Sequence, residues 1–89
     1  MTAPLELGAT HSHLYPGARG HAAAPLRDGP VALTFADGVR VTGDLSGDRL
    51  TLAAHRTAKG TEIPEKSWVI ATAPPEPDGR VPFRVVARA

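Results

Sequence analysis

The sequence predicts an all-β protein: a small antiparallel five-stranded barrel or curled sheet over residues 30–89, with an extended N-terminal arm over residues 1–29. Three observations predict it. Apolar residues from Val31 onward recur with a period of two, which is the signature of strands with one buried face. Turn signals separate these runs at Asp37-Gly38, Ser46-Gly47 and Asp78-Gly79. No stretch shows the spacing of an amphipathic helix or a coiled-coil heptad.

The arm has a different composition. Residues 1–29 hold three of the four histidines, and Pro4, Pro16 and Pro25 interrupt any long helix, because proline lacks a backbone donor and clashes with the preceding turn. Leu5, Leu7, Leu14 and Tyr15 are its main large apolar residues. In an arm otherwise made of small residues they are the expected anchors for a protein partner.

Each later element follows from register. Val31, Leu33 and Phe35 alternate with Ala32, Thr34 and Ala36, and Val39 and Val41 alternate with Arg40 and Thr42. A three-residue loop, Ala36-Asp37-Gly38, pairs Phe35 with Val39 and Leu33 with Val41, keeping the apolar side chains on one face. A two-residue turn at Ser46-Gly47 pairs Leu45 with Asp48, Gly43 with Leu50 and Val41 with Leu52. On the opposite face this sets Asp44 beside Arg49 and Thr42 beside Thr51. Gly43 lacks a side chain where two hairpins share a strand, which suits a sharp bend or a close backbone approach.

Farther along, Ile63 to Ser67 reads as one turn of helix opened by Pro64. Trp68-Val69-Ile70-Ala71 reads as a strand buried on both faces. The run Val81 to Ala87 alternates again and, with Pro82 in it, reads as an edge strand. The expected interior is Leu33, Val41, Leu50, Leu52, Ile70 and Phe83. So small a core favours burial of the arm on a partner, or self-association.

Composition excludes several classes. Without cysteine there is neither a disulfide scaffold nor a thiolate metal site. No apolar run reaches the roughly 18 residues of a spanning helix, and the start of the chain lacks the pattern of a signal peptide. The expectation is a soluble protein, cytoplasmic or part of an assembled particle, without a membrane partner. Ten Lys and Arg against nine Asp and Glu leave a net charge of +1, too balanced to imply a polyanionic partner by itself.

Chemistry-bearing residues are sparse. His11 and His13, at i and i+2, project to one side of an extended chain, and His21 offers a third imidazole; together they are the candidate metal ligands. The string Thr10-His11-Ser12-His13-Leu14 resembles the metal-binding opening of amidohydrolase barrels, but such a barrel needs about 250 residues. No residues suggest a nucleophile with a base and orienting acid, and no phosphate-cradling glycine loop is present. No catalytic residue and no cofactor is therefore assigned.

For nucleic acid, Arg40, Arg49, Arg56, Arg84 and Arg88 are the candidate contacts, as an outward basic stripe. The run Val31-x-Leu33, Asp37-Gly38, Val41-x-Gly43-x-Leu45, Leu50-x-Leu52 resembles the first Sm motif of Sm-like barrels. That resemblance implies a small bent barrel, SH3- or Sm-like in size. The chain departs from the family in lacking its N-terminal helix and its Asp-x-x-x-Asn segment, so no RNA-binding residue carries over. The leading expectation is a non-enzymatic module, an accessory or capsid-decorating type of subunit, that docks onto a larger protein assembly through its arm. A nucleic-acid-binding barrel is the alternative, and a histidine-dependent metal binder the third reading.

Overall fold

The structure, a computed structural model, describes residues 3–89. Nine strands follow in order: β1 (Leu5–Ala9), β2 (Arg19–Ala22), β3 (Gly29–Thr34), β4 (Arg40–Ser46), β5 (Arg49–Leu52), β6 (His55–Arg56), β7 (Glu62–Ile63), β8 (Lys66–Thr72) and β9 (Val81–Arg88). Seven of them close into a barrel in the order β1-β2-β9-β8-β5-β4-β3, while β6 and β7 form a separate two-stranded hairpin. The all-β barrel expected from the sequence is present, with seven strands instead of five and with one parallel pairing, between β1 and β3. No helix is found among the described residues, and the turn expected at Ile63 to Ser67 is instead the passage from β7 into β8.

The β3–β4 hairpin has the expected register. Leu33 lies opposite Val41, the Phe35 N–H donates to the Val39 carbonyl at 2.8 Å, and Gly38 has φ of 92°. Only glycine takes that left-handed conformation without strain. The β4–β5 turn differs from expectation: Ser46 lies opposite Arg49 and Leu45 opposite Leu50, so the two turn residues are Gly47 and Asp48. Gly47, with φ of 61°, occupies the first central position, where a type II′ hairpin turn places glycine. Asp44 consequently faces Thr51, and the expected Asp44–Arg49 cross-strand pair is not made. The Gly47 N–H donates to the Asp28 carboxylate at 2.8 Å, tying this turn to the start of β3. Asp28→Ala should lower unfolding stability by about 1 kcal/mol, measurable by urea denaturation.

β9 is an interior strand of the barrel, bonded to β2 and to β8, and not the expected edge. Pro82 is tolerated because of where its missing donor falls. Its carbonyl accepts from the Ala73 N–H at 3.0 Å, and Ala73 lies just past the end of β8, where the ladder stops. A bulge between Val69 and Ile70 shifts the β8–β9 register, leaving Val86 as the one exposed large apolar side chain among the described residues.

The largest correction concerns the arm. Residues 5–9 and 19–22 are two staves of the barrel, β1 between β2 and β3, and β2 between β1 and β9. Leu5, Leu7 and Leu14 are buried in the protein's own core and are not free to anchor a partner. The physical reason is steric fit. Ala18, Gly20 and Ala22 turn small surfaces inward, and a Cβ added to Gly20 would stand 2.6 Å from Phe83 Cζ and press on the Gly8 carbonyl oxygen. The Phe83 ring fills the space that Gly20 leaves. Pro4, Pro16 and Pro25 all lie outside the two strands they flank. Leu33, Val41, Leu50, Leu52, Ile70 and Phe83 are all buried, as expected, together with Val31, Phe35, Leu45, Trp68, Val81 and Val85.

Candidate functional site

The β1–β2 loop and the β6–β7 hairpin both contribute to the wall of one recess. The loop is tied down by hydrogen bonds. The Thr10 hydroxyl donates to the Arg19 carbonyl at 3.1 Å, so the 3.0 Å contact between Thr10 Oγ1 and His11 Nδ1 requires the imidazole to donate. His11 Nε2 is then an acceptor, and the Tyr15 hydroxyl lies 3.4 Å from it. The Ala36 N–H donates to the His11 carbonyl at 3.1 Å, binding the loop to the β3–β4 hairpin.

The recess has a volume of about 310 Å³. Its apolar walls are Leu14, Phe35, Leu52, Ile63, Pro64 and Trp68. Polar groups reach it from Ser12, His13, His55, Thr57 and Lys66, and none of the lining residues carries a carboxylate. That size and lining match small-ligand pockets, which are mostly apolar with a few placed polar groups. His55 stacks on Phe35 with ring centroids 6.0 Å apart, and its Nδ1 donates to the Ala53 carbonyl at 3.0 Å. In the neutral ring this leaves Nε2 as an acceptor. No hydrogen bond joins Ser12 or Thr57 to an imidazole; the Thr57 hydroxyl accepts from the Thr61 N–H at 3.0 Å, inside the β6–β7 connection. The recess is thus a mostly apolar hollow in whose lining no hydroxyl is hydrogen-bonded to an imidazole.

The metal candidates are not brought together. His11 and His13 flank the Tyr15 ring, with centroids 5.5 and 5.1 Å away, while His21 on β2 pairs with Glu76, Nε2 to Oε1 at 3.1 Å. No group of three or more His, Asp or Glu side chains among the described residues is placed to hold a metal ion. Tyr15, the fourth expected anchor, is half-buried against the core with its hydroxyl on His11.

The arginine stripe is also divided. Arg40 pairs with Glu6 at 2.7 Å and Arg56 with Glu62 at 2.8 Å, both exposed pairs. Arg88 lies over the Trp68 ring, 5.5 Å from its centroid. Only Arg49 and Arg84 share the outer face of the β5–β8–β9 sheet, and Arg19, on β2, lies directly opposite Arg84. A more open groove of about 340 Å³ runs beside Glu6, His21 and Arg80, but its charges are matched: Glu6 holds Arg40, His21 holds Glu76 and Arg80 lies 3.9 Å from Asp78.

Compared with protein-family models, curated proteins and solved structures, the chain matches none. Among the described residues, no helix is long and apolar enough to cross a membrane.

The recess was not legible in the sequence. Its walls come from the β1–β2 loop, the end of β3, the end of β5, the β6–β7 hairpin and the start of β8. No local pattern in the sequence joins His55 to His13 or Lys66.

Proposed function

We propose that the protein is a non-enzymatic interaction module that docks a protein partner in this recess. The observation that carries this reading is an apolar hollow rimmed by Lys66 and two imidazoles, with no acid in its lining. Such a rim favours a carboxylate beside an apolar side chain, since the ammonium attracts the acid while Phe35, Ile63 and Trp68 receive the apolar group. The partner is therefore a protein presenting a short acidic and apolar segment. This keeps the docking role expected from the sequence and moves its seat from the arm to the recess.

Trp68 is the only tryptophan in the sequence and lines the recess, so intrinsic fluorescence reports directly on occupancy. Selection from a displayed random-peptide library should enrich sequences with an aromatic or large aliphatic residue next to Asp or Glu. Their binding should shift the Trp68 emission. Lys66→Glu and Ile63→Glu, both at half-buried positions on the recess wall, should each weaken binding at least tenfold. Enrichment of no sequence, or enriched peptides that bind both variants as tightly as the parent, would sink the proposal.

A further inference from the structure

The outer face of the sheet carries an arrangement that stability alone does not favour. Arg19 on β2 lies directly opposite Arg84 on β9. The adjacent pair, Ala18 with Val85, is linked by the Val85 N–H donating to the Ala18 carbonyl at 2.7 Å. By the alternation of an antiparallel ladder, Arg19 and Arg84 therefore form a non-hydrogen-bonded pair, with α-carbons about 4.5 Å apart and side chains at their closest. Like charges placed directly opposite each other repel and destabilise the pair. No carboxylate lies within ion-pairing distance of either guanidinium among the described residues.

The two arginines also line a cleft of about 150 Å³, with Ala71, Thr72, Ala73, Pro82 and Phe83 completing its wall. The third residue in the same cross-strand row is Ala71, opposite Arg84 on β8, so a small side chain leaves room beside the guanidinium. Both arginines line one small cleft that contains no acid. Arginine binds a tetrahedral dianion by donating from its planar fork to two oxygens, and two arginines on one cleft offer two such forks. We propose that Arg19 and Arg84 form a binding site for a single phosphate group, carried by inorganic phosphate or a small phosphomonoester.

A single phosphate fits this face better than a nucleic-acid strand. Among the described residues Phe83 is the only aromatic in the cleft, and its ring is buried inside the barrel, so nothing offers a base a stacking surface. Arg49, the next arginine on this face, lies beyond the intervening strand β8, opposite Val69.

Calorimetric titration of the full chain with inorganic phosphate, at constant ionic strength in chloride, tests the site. Saturable one-to-one binding is expected, weaker at higher salt. Arg19→Gln and Arg84→Gln should each reduce affinity at least tenfold, and Arg49→Gln should leave it unchanged. Glycerol phosphate in place of inorganic phosphate distinguishes the source: tighter binding identifies an organic phosphomonoester, equal or weaker binding the free ion. Arg84→Glu is the second variant. It turns a repelling pair into an attracting one, so its melting temperature in chloride should rise above the parent's while phosphate ceases to raise it further. Phosphate heats that do not saturate, or that persist in both glutamine variants, would overturn the site. So would a single-stranded oligonucleotide binding more tightly than phosphate with equal dependence on Arg49, which would assign the face to a nucleic-acid backbone instead.

Discussion

A chain reduced to residues 30–89 is expected not to fold. Its removal of β1 and β2 takes two of seven staves from the barrel and leaves β3 and β9 as open edges. It also strips Leu5, Leu7, Leu14, Ala18 and Ala22 from the core. Large apolar side chains contribute roughly 1.5–3 kcal/mol each when buried, so the three leucines alone represent about 5–9 kcal/mol, comparable to the whole stability of a small domain. The expected observation is a coil-like circular dichroism spectrum and no cooperative urea transition. A cooperative transition in the truncated chain would show that the sheet from β3 to β9 stands without its N-terminal staves.

Gly20→Ala and Gly43→Ala should each destabilise the full-length protein by about 3 kcal/mol, the upper end of what overpacking a filled interior costs. A Cβ on Gly43 would press on the Thr51 carbonyl oxygen and stand 3.2 Å from Leu52 Cα, both backbone atoms of the neighbouring strand. A Cβ on Gly20 would meet the Gly8 carbonyl as well as the Phe83 ring. Neither carbonyl can retreat without disturbing the ladder it belongs to, and that is why one methyl group is felt so strongly. Gly8→Ala is the control, since a Cβ there meets nothing within 4 Å. Thermal and urea denaturation of the three variants decides the point; equal stability of Gly20→Ala and Gly8→Ala would contradict the packing described.

How much of this was legible in the sequence depends on how locally each feature is encoded. The β3–β4 hairpin was, because a slip of one residue would have turned Leu33 and Val41 to solvent. Alternation could not fix the β4–β5 register. The expected and observed pairings both keep Leu45 and Leu50 on one face, and a glycine at position 47 suits either turn. β1 and β2 escaped notice for a different reason. Leu5-Glu6-Leu7 is a short alternation, and β2 faces the interior with glycine and alanine, whose low hydropathy hides a buried strand. Their smallness is legible only beside Phe83, more than sixty positions away in the sequence. The Arg19–Arg84 pair has the same character, since neither residue marks the other until β2 and β9 are known to be neighbours.

The pairing of β2 with β9 also sets an order of events during biosynthesis. Residues 19–22 are made well before one of their two partner strands, Val81–Arg88. At about 5–20 residues per second, β2 waits several seconds with an open edge before its ladder is complete. Local hairpins such as β3–β4 and β4–β5 can form during that wait, whereas closure joins distant parts of the chain and belongs to the slow class of folding steps. The nascent chain is therefore exposed to mispairing until β9 emerges, and a synonymous slowing of translation just before Val81 would lengthen that exposure.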